Sequence, residues 1–157
     1  MSVPAHEIIV VPAAGEAGRA ELRQQCYDVR IDVFHREQGF PLDTEIDDLD
    51  ETATHFLLRL LPSHTPIGTI RLSVAPDGSY HKLSRLAVAK AYRAHRFGAA
   101  LVRALHAHVA RPATVVCHSQ LPVMPFYARF GYAPEGDQFD EDGAPHQKMV
   151  VHLPLSD

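Results

Sequence analysis

The chain has 157 residues and a mass of 17.4 kDa, a length that suits one domain (1–157) and buries a sizeable core without disulfide or metal staples. Hydrophobic residues are 46% and charged residues 22% of it, which excludes a disordered, collagenous or coiled-coil chain. Lys and Arg number 15 against 19 Asp and Glu, a net charge of −4, so a nucleic-acid partner bound through a basic face is not expected.

The two cysteines, Cys26 and Cys117, are too few for a disulfide framework and sit among apolar residues, as buried thiols do. No basic stretch precedes the short apolar run Ile8 to Val11, and no window approaches the roughly 18 apolar residues of a membrane span. The expectation is a cytoplasmic protein without a membrane partner, although its size does not exclude the nucleus.

Glu7 to Val11 reads as a first strand, stopped by Pro12. From Arg19 to about Arg36, Leu22, Cys26, Val29, Val33 and Phe34 fall on one helical face, and Gly39 and Pro41 end it. Leu42 to Glu51 is acidic and lacks an apolar face, so it reads as a loop or short irregular helix. His55 to Leu61 and Ile67 to Ala75 form an expected antiparallel hairpin, and Pro76-Asp77-Gly78 turns the chain into a third strand, Tyr80 to Ala89. A basic loop, Lys90 to Gly98, leads to a helix with Phe97, Leu101, Leu105 and Val109 on one face, closed by Pro112. Thr114 to Cys117 suits a buried strand, Pro125 to Phe130 a short helix, and Tyr132 to Gln138 and His146 to Leu153 two final strands. Such alternation gives an α/β fold with a mixed sheet.

The segment from Leu86-Ala87-Val88 to Gly98-Ala99 carries the strongest chemical signal. A covered strand enters a basic loop with Arg93, Ala94, His95, Arg96 and Phe97, then the start of a helix whose first N–H groups lack intrahelical acceptors. Gly98 and Ala99 let an anion approach the backbone, so the segment points to a pyrophosphate site. The P-loop spacing Gly-x-x-x-x-Gly-Lys-Ser/Thr is absent, which disfavours nucleotide binding of that kind. The 11 histidines show neither HExxH nor a Cys/His ligand spacing, so no metal is expected.

The order of elements, Leu86-Ala87-Val88 followed by Arg93-x-x-x-x-Gly98, and Phe126-Tyr127-x-x-Phe130-Gly131-Tyr132 resemble the GNAT acetyltransferases. Arg96 stands where the loop of that superfamily commonly has its first glycine. Arg30 through Val33-Phe34, Glu37-Gln38, the acidic run Glu45-x-Asp47-Asp48-x-Asp50, Gln120 and Glu141-Asp142-Gly143-x-Pro145-His146-x-x-Met149 resemble its ElaA-type branch.

The resemblance implies a single domain with a mostly antiparallel central sheet, flanked by helices and splayed at a cofactor cleft. It also implies acetyl-CoA as donor and a small primary amine as acceptor. The pantetheine arm is expected along Leu86 to Val88, the pyrophosphate over Arg93 to Ala99, and Gln120 and Phe126 beside the arm. Tyr127 is the expected proton donor to the departing thiolate. The attacking amine must lose a proton, for which Glu37, a carboxylate of the acidic run such as Asp47, or His118 is the expected base. Such a run is costly unless a cation shares its space, and if it borders the acceptor site it would favour cationic amines or amino sugars. Alternatives are a CoA-binding regulatory module without turnover and a protein lysine or N-terminal acetyltransferase. A homodimer is left open.

Overall fold

The computed structural model describes residues 2–155. Strand β1 (His6–Val10) precedes helix α1 (Arg19–Arg30), and strands β2 (Thr54–Leu60), β3 (Pro66–Val74) and β4 (His81–Val88) follow as an antiparallel meander. Helix α2 (Phe97–His108), strand β5 (Ala113–Gln120) and the short helix α3 (Met124–Ala128) come next, then β6 (Ala133–Pro134), β7 (Phe139–Glu141) and β8 (Ala144–Leu153). The sheet runs β1-β2-β3-β4-β5-β8-β6, with β7 also on β8. Only β4 and β5 run parallel, so the fold is α/β with a mixed, mostly antiparallel sheet. Among the described residues no helix is long and apolar enough to cross a membrane.

Each face of the sheet is covered by one helix, as the two apolar stripes require. Helix α1 lays Cys26 and Val29 against Leu57 and Ala87. Helix α2 sinks Phe97, Leu101 and Leu105 into the opposite face with Phe56, Leu58 and Ile70. Gly68 of β3 makes the close approach of α2 feasible, because a Cβ there would lie 3.1 Å from Leu101 and 3.3 Å from Leu58. Both cysteines are buried and free.

Two elements depart from the sequence reading, and the acidic segment takes one of its two expected forms, the short irregular helix. The first helix keeps α geometry only to Arg30 and continues as a π-helical segment over Ile31–Glu37, with Gln38 N–H reaching Val33 O at 3.0 Å. The strand expected over Tyr132 to Gln138 is broken into β6 and β7. The acidic segment is not a solvated loop but two short 3-10 turns, Leu42–Thr44 and Asp48–Glu51, docked on arginines.

That docking answers the repulsion within the run. Arg30 is fully buried and holds Asp50 at 2.8 Å; Arg71, 1% exposed, holds Asp50 at 3.1 Å and Asp47 at 2.7 Å. Arg19 donates to the carbonyls of Asp50 and Glu51, and Arg23 pairs with Glu51. His55 completes the knot: its Nε2–H donates to Asp50 O, leaving Nδ1 to accept from Arg30. Burial, with Arg30 beside the ring, brings its pKa down to about 4.

Candidate active site

Strands β4 and β5 pair only between His81–Leu83 and Val115–Cys117 and then part, while β4 stays paired with β3 as far as Val88. Ala89 N–H bonds Ile67 O on the β3 side at 2.8 Å, so strand alternation turns the peptide groups of Val88 and Leu86 toward the gap. Between the pairs Thr69–Ala87 and Arg71–Ser84, two β4 residues, Arg85 and Leu86, oppose Ile70 alone. This bulge places Arg85 at φ 55°. The gap widens into a cavity of about 340 Å³.

At the other end of β4 a 3-10 run, Lys90–His95, leads through Arg96 into α2. Arg96 lies in the left-handed region, φ 59° and ψ 29°, and no side chain caps the helix. Arg93 folds back: its Nε donates to Val88 O at 2.9 Å and its two Nη groups grip Glu37 at 2.5 Å each. That pairing holds the Glu37 carboxyl below its usual range. Glu37, an expected base, is instead the brace of Arg93. Phe97 is 1% exposed and stacks with His6 and His95, so only its backbone can be offered to a ligand. A Cβ on Gly98 would meet the Phe126 ring at 3.5 Å, an ordinary contact, so the protein's own packing does not demand glycine there. Ala94 is exposed and Ala99 half-buried. Gln120 ends β5 and donates to Gln38 Oε1 at 3.1 Å, bridging the cleft mouth.

An uncapped helix start beside two arginines, and a strand edge with the Leu86 peptide groups and the Val88 N–H left open, suit a diphosphate joined to an amide-bearing arm. The residues present therefore fit CoA.

Tyr127 lines the cavity at 7% exposure, and burial together with neighbouring Cys117 pushes its hydroxyl pKa up, so it stays protonated at neutral pH. His118 lines the same cavity. Its Nδ1–H donates to Glu141 Oε1 at 2.9 Å, which fixes the tautomer with Nε2 free to accept a proton. The bond from His118 holds Glu141 below its usual range despite burial. Asp47 reaches the cavity but is engaged by Arg71, Arg85 and the Leu49 N–H. Both of its oxygens are taken by these partners, so Asp47, an expected base, is placed as an anchor for the two arginines. Glu45, 3% exposed, also lines the cavity, and burial raises its pKa.

The sequence offered Glu141 only as a turn residue. It is 23 positions from His118, and no local spacing marks the pair.

The family model for the acetyltransferase (GNAT) domain matches residues 28–153. The uncharacterized N-acetyltransferase YjcF of Bacillus subtilis (strain 168) is 30% identical over 137 residues, 85% of this chain and 95% of its own length. A crystal structure from Lactobacillus plantarum, assigned as an N-acetyltransferase, is 31% identical with a TM-score of 0.78, covering 95% of this chain and 99% of that one. Escherichia coli ElaA, 23% identical, shares the fold at a TM-score of 0.75 over 94% of this chain and 99% of its own. With its parted parallel strands and basic loop at a helix start, the chain belongs to the GNAT N-acetyltransferases, a family that uses acyl-CoA donors.

Proposed function

We propose that this protein transfers the acetyl group of acetyl-CoA to a primary amine bound with it in one ternary complex. The observation that carries the reading is the parting of β4 from β5 beyond Leu83, which leaves the β4 edge open between the cavity lined by Tyr127 and His118 and the uncapped start of α2. Acetyl-CoA supplies the thioester carbon that the amine attacks.

The chain's own groups divide the remaining work. Arg96, the backbone of Phe97, Gly98 and Ala99, and Arg93 braced by Glu37 hold the diphosphate. The peptide groups of Leu86 and the Val88 N–H hold the amide arm, with Phe126 and Gln120 beside it. A backbone N–H at the β4 bulge can stabilise charge developing on the carbonyl oxygen. His118 Nε2, oriented by Glu141, takes the proton from the ammonium, and Tyr127 returns one to the departing thiolate. An intact His118–Glu141 pair and a protonated Tyr127 favour turnover over a silent CoA-binding module.

Most of the support that the acidic run gave a cationic acceptor is removed, because Asp47, Asp50 and Glu51 are already matched by arginines of this chain, and Glu45 is the one carboxylate of the run at the cavity that makes no ion pair among the described residues. A panel of primary amines, assayed for free-CoA release and paired with calorimetry of acetyl-CoA, tests the reading. Saturable binding with release that requires an amine is expected. Binding without release from any amine would leave only the CoA-binding module.

A further inference from the structure

Carboxylates and cations both line the cavity, Glu45, Asp47, Glu141 and Asp142 against Arg71, Lys82 and Arg85, but two of the cations lack full partners. Three guanidinium groups, Arg30, Arg71 and Arg85, share two carboxylates, Asp47 and Asp50. Arg85 is the least satisfied of them. Its Nη2 bonds Thr44 O at 2.8 Å and Asp47 at 3.3 Å, and its Nε is buried with no acceptor. Lys82 is the second incompletely partnered cation. It lines the same cavity, half-buried, and makes no ion pair or hydrogen bond among the described residues. Its nearest compensating carboxylate, Glu141, is engaged by His118 at 2.9 Å and faces His146 Nε2 at 3.7 Å.

Lys82 and Arg85 are three residues apart on β4, a spacing that in a regular strand sends side chains to opposite faces. Both nevertheless line the cavity, which takes in the open β4 edge from Lys82 to Leu86 around the bulge at Arg85, φ 55°. Arginine is an unfavourable residue in that backbone region, so the bulge is held against strain. Two cations are thus gathered on the wall of a cavity that also holds His118.

Resting on the acetyltransferase reading above, we propose that the amine acceptor carries a carboxylate, held by Lys82 and Arg85, so that the substrate class is amino acids. The burial that lowers the Lys82 pKa makes an arriving anion the favourable partner for this ammonium.

The test is a set of matched acceptors: alanine, methionine, phenylalanine and β-alanine, each beside its carboxamide, with acetyl-CoA saturating. The ammonium of an amino-acid amide is the more acidic of the pair, so intrinsic reactivity favours the amide and works against the proposal. The expected result is a kcat/KM on the order of tenfold or more higher for the acids. Lys82→Gln should bring the pairs to within about threefold of each other, and Lys82→Arg should restore most of the gap. Binding of N-acetylated acid and N-acetylated amide to the CoA complex, read by calorimetry, should show the same preference without turnover. Amides acetylated as well as acids, or turnover confined to polyamines and amino sugars, would overturn the proposal and leave the acetyltransferase reading standing. No transfer to any amine would overturn both.

Discussion

Replacing Arg96 with glycine separates what the fold wants from what the ligand wants. Arg96 sits at φ 59° and ψ 29°, immediately before α2. A non-glycine residue there costs roughly 1–2 kcal/mol, and glycine's extra freedom in the unfolded chain returns roughly 0.5–1 kcal/mol of that. The exposed guanidinium makes no ion pair among the described residues, so no contact is lost. The net expectation for Arg96→Gly is a stabilisation of about 0.5–1 kcal/mol. For a chain of this length that raises the midpoint of thermal unfolding by about 1–4 °C. Affinity for CoA should move the other way, weakening by roughly tenfold if one charge-assisted hydrogen bond to phosphate is removed. Thermal melts without ligand and calorimetry with CoA measure the two effects separately. Arg96→Asn, which tolerates the same backbone without the charge, should reproduce the loss of affinity. A variant less stable than the parent would refute the strain argument, and an unchanged Kd would remove Arg96 from the phosphate site.

Tyr127→Phe should lower kcat by about a hundredfold while the Kd for acetyl-CoA stays within a factor of two or so, because the hydroxyl acts when the thiolate leaves; stopped-assay kinetics beside calorimetry read the split. Asp50→Asn should cost about 3 kcal/mol in denaturant titrations, since it leaves the fully buried Arg30 and the nearly buried Arg71 without their shared charge. The folded pKa of His55 is about 4 against 6.5 when unfolded, so the unfolded chain takes up the proton first. Stability present above pH 6.5 should therefore be lost as pH falls toward 4, by up to about 3 kcal/mol, and the slope over that window should flatten in His55→Gln.

Periodicity made the layout legible. The four-residue repeat of Phe97, Leu101 and Leu105 and the covered pattern of Leu86 to Ala89 located α2 and β4, and with them the parted strands and the basic loop. Tyr127 was in view through the Phe126-Tyr127 motif of the family resemblance and His118 through its place at the end of the fifth strand, and both line the cavity. Long-range pairing was not legible. The acidic run looked unpartnered because its arginines come from elsewhere in the chain: Arg19, Arg23 and Arg30 on α1, Arg71 on β3 and Arg85 on β4. Arg71 did leave one trace, a charged residue inside a strand otherwise buried on both faces. A buried guanidinium requires a carboxylate, so that trace alone called for a partner in the acidic run. Glu37 was misread for a related reason. Its neighbours in sequence suggested the acceptor site, whereas its partner, Arg93, lies 56 positions away.

Four non-glycine residues have positive φ: His64, Arg85, Arg96 and Asp142. His64 and Asp142 lie between strands β2 and β3 and between β7 and β8, and their residue types are among those that enter the left-handed region most readily. The two arginines have no such aptitude. Glycine would satisfy the backbone at either position with less strain, so the side chain rather than the turn must account for arginine there. Arg85 marks the bulge where β4 opposes the cavity, and Arg96 marks the start of α2 where the loop ends. One cation therefore stands at each end of the cleft, at the two points where an anionic donor and an acidic acceptor would have to be held while the bond between sulfur and carbon is exchanged. Positive φ falls at these two arginines and at no other non-glycine residue of the β4-to-α2 unit, which the proposed roles would account for together: at each the fold would give up stability to place a permanent positive charge beside a ligand.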